Sequence, residues 1–200
     1  MKETLLTLLL LGTLQLVSAQ EKLSREESLK YASIVAADLK QLQGTPIPTH
    51  VDVKQPVAIH EGEFGGMVLP EAKLTVEAIA KASDQAVAIG QLWLLKLTPM
   101  QNGDAVDSSK LRMVTLSHEG EQATVAQCAL GVRRNGSGTL ELLVFGKGNE
   151  PVVKVPLKAK DVKQDVPVDI TAERESESGK VTLNILGKYT ATFSVTALES

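Results

Sequence analysis

The chain has 200 residues, 43% of them hydrophobic and only 3% aromatic, with a formal net charge of −3 at pH 7. Its charges are mixed and form no lysine or arginine run, which excludes the basic footprint of a nucleic-acid binder, and the scarcity of aromatics disfavours the stacking platforms of sugar and single-strand binders. One cysteine, Cys128, excludes an internal disulfide, so the core must carry stability without a staple.

Met1 to Ala19 holds one lysine, an apolar core from Leu5 to Leu11 extended by Leu14 and Leu16, and Val17-Ser18-Ala19 at its end. This pattern predicts a secretory signal peptide over residues 1–19, cleaved so that the mature protein begins at Gln20. The apolar part is shorter than the ~20 residues a membrane helix needs, an uncleaved anchor being the alternative. No cysteine stands directly after the cleavage point, which leaves nothing for a lipoprotein anchor. The protein is therefore expected outside the cytoplasm, periplasmic or extracellular, with no membrane span in the mature chain. The roughly 180 residues that remain suit one domain: an N-terminal helix and linker over 20–48, packed on a single β-rich domain over 49–200.

Ser24-Arg25-Glu26-Glu27 is a capping box. Leu29, Ala32, Val35, Leu39 and Leu42 then recur at threes and fours, and Gly44 sits where a left-handed cap would end the helix. Thr45-Pro46-Ile47-Pro48 predicts an extended linker into a strand near Val51 to Ile59. Gly65-Gly66 precedes a short apolar run, Met67-Val68-Leu69, that Pro70 interrupts, and Thr75 to Ala82 predicts a short second helix behind a threonine cap.

Val87 to Leu97 is the most apolar run after the N-terminus and holds the only tryptophan. Alternate positions give Val87, Ile89, Gln91, Trp93, Leu95 and Leu97 on one face and Ala86, Ala88, Gly90, Leu92 and Leu94 on the other. Both faces are largely apolar, which predicts an interior strand covered on both sides. Pro99 and a polar loop, Gln101 to Ser109, should follow.

From Lys110 onward the pattern is short strands and turns. Strands are expected at Leu111 to Ser117, Thr124 to Arg134, Thr139 to Phe145, Val152 to Leu157, Val166 to Ala172, Val181 to Leu186 and Tyr189 to Ala197. Asn135-Gly136, Gly148-Asn149 and Ser178-Gly179 offer the positive φ of tight hairpins. In the last strand Tyr189, Ala191, Phe193, Val195 and Ala197 point inward and the threonines and Ser194 between them outward. The fold class is thus mainly β: an antiparallel sandwich or open barrel with an N-terminal amphipathic helix and one short second helix.

A tetrapeptide occurs twice, as His60-Glu61-Gly62-Glu63 and His118-Glu119-Gly120-Glu121. If the two turns met, His60, Glu61, Glu63, His118, Glu119 and Glu121 would form a ligand set for zinc or another divalent ion, with His50 and Asp52 in reserve. The plainer reading is hairpin chemistry with solvated flanks, because no pair of ligands stands in the rigid i, i+4 register of His-Glu-x-x-His.

Cys128 shares the apolar phase of Ala126, Leu130 and Val132 and reads as a buried small hydrophobe, not a nucleophile. Asn102-Gly103-Asp104 with Asp107 lacks the closing glutamate of a calcium loop. Gly146 and Gly148 around Lys147 lie in a hairpin pattern, not a phosphate loop. Glu173 to Glu177 reads as an acidic hairpin tip, and Asn135-Gly136-Ser137 also fits a glycosylation sequon. The resulting expectation is an exported, non-enzymatic binding or structural module without a cofactor, whose partner is a protein or small molecule that the sequence does not identify. The alternative is a metal-dependent hydrolytic enzyme built on the His60/Glu61 and His118/Glu119 turns.

Overall fold

A computed structural model of the chain describes residues 20–39 and 47–198. The expected signal peptide, the expected run of the first helix through Leu42 to Gly44, and the Thr45-Pro46 start of the linker lie outside the described residues. The first half of the chain is ordered β1 (Glu21–Lys22), α1 (Arg25–Leu39), β2 (Val57–Glu61), β3 (Phe64–Pro70), α2 (Val76–Ala80), β4 (Val87–Leu95), β5 (Leu97–Gln101) and β6 (Asp104–Ala105). The second half is β7 (Arg112–His118), β8 (Glu121–Arg134), β9 (Leu140–Phe145), β10 (Pro151–Pro156), β11 (Lys158–Ala159), β12 (Val168–Glu175), β13 (Ser178–Ile185) and β14 (Tyr189–Ala197).

These strands make two antiparallel sheets that pack face to face as a β-sandwich. The larger runs β1-β2-β3-β4-β8-β9-β10 with β7 also beside β8, and the smaller runs β12-β13-β14-β5-β6 with β11 also beside β14. Between them lies a continuous core in which Leu92, Leu94, Leu130, Val132, Leu142 and Val144 meet Val168, Ile170, Leu183, Ile185, Phe193 and Val195. Each of these side chains contributes about 1.5–3 kcal/mol by leaving water. The alternation read in the last strand is present at its centre, where Ala191, Phe193 and Val195 are buried and Thr192 is exposed, but Ala197 at its end, expected inward, is exposed.

The interior strand is β4, with Trp93 and Leu94 both buried on opposite faces. Two of its expected details are corrected. First, its pairing with β8 shifts between Ala88 and Gly90. A bulge inserts a residue and reverses the alternation, so Val87 and Ile89 share the inner face with Leu92 and Leu94. Gly90 is required at the bulge: its φ is +145°, and a Cβ there would lie 2.2 Å from the carbonyl oxygen of Leu69. Second, the strand does not run on to Leu97. Lys96 takes a left-handed φ of 55°, and Leu97 opens β5 in the other sheet, so the chain crosses the sandwich in one residue. Pro99 stands inside β5, and the expected loop is a β5–β6 hairpin whose tip, Asn102 and Gly103, has φ of 57° and 92°.

Gly65 and Gly66 lie inside β3, and Pro70, expected to interrupt, is its last residue. A Cβ on Gly66 would sit 3.4 Å from Ile170 Cδ1 and 3.5 Å from Ile59 Cγ1, ordinary contact distances. Among the turns, positive φ falls on Gly138 and Ser176, not on Gly136, Gly148, Asn149 or Gly179. Asn135 contributes through its side chain, whose Oδ1 accepts from the amides of Ser137 at 3.1 Å and Thr139 at 2.9 Å.

Helix α1 covers the outer face of the larger sheet. Its capping box forms: Ser24 Oγ accepts from the Glu27 amide at 3.2 Å while the Ser24 amide donates to Glu27 Oε2 at 3.0 Å. The buried stripe runs through Ser28, Ala32 and Val35; Leu29, expected in it, is half-buried beside that line. Small side chains let the helix sit close over Ala58, Met67, Leu69 and Trp93. In α2, Thr75 Oγ1 caps the Ala78 amide at 3.1 Å, and Ile79 is fully buried against the sandwich core. Among the described residues no helix is long and apolar enough to cross a membrane.

Candidate functional site

Both His-Glu-Gly-Glu segments are tight hairpin tips, one joining β2 to β3 with φ of 57° at Gly62, the other joining β7 to β8 with φ of 51° at Glu119 and 87° at Gly120. The registers Gly65–Leu95, Leu95–Val125 and Val125–Val114 place the tips at the same end of the larger sheet. They do not meet. Strand β4 lies between the two hairpins, and β3, β4 and β8 separate the strands that carry His60 and His118, so four inter-strand steps of about 4.8 Å hold those two histidines at least about 19 Å apart.

Each charged group has a local neighbour instead. His60 Nε2 is 3.8 Å from Glu21 and His118 Nε2 is 3.7 Å from Glu119. Glu63 pairs with Lys96, and Glu61 with Arg174 at 3.4 Å. Glu121 stands opposite His118 in the β7–β8 register. His50, 84% exposed at its side chain, lies 4.0 Å from Glu71. Asp52 accepts from Gln55 Nε2 and the Lys54 amide, each at 2.9 Å, and these bonds, that of Gln55 foremost, hold its carboxyl below the usual range. Among the described residues no three histidine, cysteine, aspartate or glutamate side chains gather closely enough to hold a metal ion.

The β2–β3 tip meets the smaller sheet. Arg174 near the end of β12 reaches Glu61 at 3.4 Å, and Lys22 of β1 reaches Asp169 of β12 at 2.5 Å. These two ion pairs tie the edge of one sheet to the edge of the other. Beside the first of them a cleft of about 160 Å³ opens. Leu97 and Val195, both buried, form its floor, with Phe64 and Ala172 at its sides. Exposed Glu173, Arg174 and Glu177 stand around it with the half-buried Glu61. Gln20 also lines it, with a buried Oε1 that has no hydrogen-bond partner.

Three carboxylates against one guanidinium make the mouth acidic over an apolar floor. Such a cleft suits a side chain with an apolar stem and a cationic or hydrogen-bond-donating end. The sequence signals for it were partial: the acidic tip at Glu173 to Glu177 and the Glu61 turn both stood out, but Phe64, Gln20 and Arg174 carry no motif.

The remaining candidates resolve locally. Cys128 is buried, and loss of hydration pushes its thiol from 9.0 up to about 12. Asp107 Oδ1 accepts from the Ser109 amide at 2.8 Å and caps a single helical turn, Ser108–Lys110. Asn135 Nδ2, the atom a glycan would occupy, donates to Glu141 Oε1 at 2.8 Å. No family model matches the chain, and no curated protein or solved structure is detectably similar to it.

Proposed function

We propose that the protein is an exported, non-enzymatic binding or structural module of the cell envelope or extracellular space, and that its ligand engages the hairpin end of the sandwich. The observation that carries this reading is the cleft between Glu61, Phe64, Arg174 and Val195. At about 160 Å³ it is well below the roughly 300–1,000 Å³ of pockets that enclose a whole cofactor or drug-sized ligand. It has the size for one side chain of a protein partner. The charged groups around it support the same reading, since Glu61 and Arg174 join the two sheets and the buried thiol of Cys128 lies in the core.

The test is an NMR titration of the chain beginning at Gln20 with short peptides carrying lysine, arginine or neutral side chains. Perturbations should gather at Phe64, Ala172 and Val195, follow the cationic peptides, and vanish in Glu61→Ala. Conversion of a peptide to products, or perturbations confined to other surfaces, would overturn the reading. Export is tested separately, by N-terminal sequencing of the protein outside the cytoplasm. Gln20 is the expected first residue, and an intact Met1 form embedded in membrane would refute it.

A further inference from the structure

The mouth of the cleft lies where the inward phase of two strands runs out of apolar residues. In β12, Val168 and Ile170 belong to the core and Ala172 packs against it; because side chains alternate, the next residue on that face is Arg174. In β2, Val57 and Ile59 belong to the core, and the next residue on their face is Glu61. Arg174 and Glu61 thus close this end of the sandwich from opposite sheets, with Arg174 Nη1 3.4 Å from Glu61 Oε1. The floor beside them is bare because of Gly179. It stands opposite Arg174 in the β12–β13 register and opposite Val195 in the β13–β14 register, and it has no side chain with which to cover Val195.

The two partners of the ion pair are unlike. The side chain of Glu61 is 19% exposed, whereas that of Arg174 is 61% exposed. Their contact is also longer than the roughly 2.7–2.9 Å of a strong charge-assisted bond. An ion pair with one partner so exposed adds little to stability, so Arg174 can leave Glu61 at small cost.

We propose that Arg174 is a built-in competitor for the cleft: its guanidinium occupies Glu61 in the free protein, and the cationic side chain of the ligand displaces it. This rests on the reading of the cleft as the seat of a cationic side chain, and adds how that seat is regulated. Displacement exchanges one cation for another, so the carboxylate of Glu61 stays paired and the released guanidinium turns to the water that already surrounds most of it. The exchange lowers affinity and sharpens selectivity. A neutral side chain cannot replace the charge at Glu61 and meets Arg174 in its place.

The probe is the peptide acetyl-Gly-Arg-Gly-amide, with its citrulline counterpart as a neutral control of nearly the same shape. Each is titrated into the chain beginning at Gln20 and followed by NMR at Phe64, Ala172 and Val195. Arg174→Gln removes the competing cation and should bind the arginine peptide about two- to five-fold tighter, the scale set by one exposed ion pair. Arg174→Lys keeps a cation and should stay close to the wild type. The double variant Glu61→Ala, Arg174→Gln should bind no better than Glu61→Ala alone, because the gain passes through that carboxylate. An Arg174→Gln chain that binds no tighter than the wild type overturns the proposal while leaving the cleft a cationic site. So does tighter binding that survives in the double variant. Shifts absent from the wild type and from Arg174→Gln alike, or equal for the arginine and citrulline peptides, overturn the reading of the cleft and the competitor with it.

Discussion

Strands β4 and β8 serve two unlike surfaces. On the inner face Leu92, Leu94, Cys128 and Leu130 join the apolar core between the sheets. On the outer face Gln91, Trp93 and Gln127 are buried to 4%, 3% and 1% exposure, with Trp93 directly opposite Gln127 in the β4–β8 register. Gln91 Nε2 donates to Thr49 Oγ1 at 2.7 Å, but Gln91 Oε1, Trp93 Nε1 and Gln127 Nε2 have no protein partner. A buried polar group left unpaired costs about 1–3 kcal/mol. On the inner face these residues of β4 and β8 are fastened by apolar packing, while the outer layer loses part of its hydrophobic gain to unpaired amide and indole groups. The cover over it, α1 and the Thr49 segment, is the first part expected to open locally.

The sharpest way to break the distinction is Gly90→Ala, because the bulge at Gly90 decides which residues of β4 face which layer. A Cβ 2.2 Å from Leu69 O at a φ of +145° should cost more than about 3 kcal/mol, read as a lowered denaturation midpoint or as failure to fold. Next come the two faces themselves. Trp93→Ala should cost about 3–5 kcal/mol and Leu94→Ala about 2–5 kcal/mol. A near-neutral result for Leu94→Ala would mean that the inner face does not carry the core.

The inner face also makes a pH prediction. Burial holds the Cys128 proton on in the folded state up to about pH 12, against 9.0 for an ordinary thiol, so above pH 9 the unfolded state binds fewer protons than the native state. The stability linked to this thiol is complete below pH 9 and is lost as pH rises toward about 12. A Cys128→Ala variant should lack this component in alkaline denaturant melts, and native thiol labelling at neutral pH should be slow until denaturant is added.

On the outer face, by contrast, Gln127→Met should change stability by less than about 1 kcal/mol, or raise it, because it removes an amide whose nitrogen has no partner. A loss of several kcal/mol would show that a bound water completes the amide. The smallest effect is expected at the cover. Ser24→Ala removes the capping box and should cost about 1 kcal/mol, with faster amide exchange in α1 and unchanged exchange in β4. Bonds from Ser24 to Glu27, its side-chain bond foremost, lower the Glu27 carboxyl, so this stabilisation persists at neutral pH and fades as pH falls through the carboxylate range.

Much of this was legible locally. The run from Val87 to Leu95 announced a strand buried on both faces, and the Ser24-Arg25-Glu26-Glu27 box announced α1, because both signals depend on neighbours in sequence. The phase of β4 before Gly90 was not legible, since the bulge answers to the backbone of Leu69 on another strand. The cleft was hidden for the same reason. Arg174 and Glu61 stand 113 positions apart, and only the packing of two sheets brings them together. Both copies of the repeated tetrapeptide lie in hairpin turns, but that β4 stands between the two hairpins depended on the order of strands in the sheet.

The crossing at Lys96 has a consequence for the order of assembly. Strand β5 leaves β4 directly, yet its partner is β14, with Leu97 opposite Ala197. As the chain emerges from the ribosome, β5 must wait while every strand of the larger sheet is made. Apart from its short hairpin with β6, it joins its sheet only when β14 arrives. The last residues therefore act as a latch: a chain ending before Tyr189 would hold most of its strands and still leave Leu97 and the inner leucines uncovered.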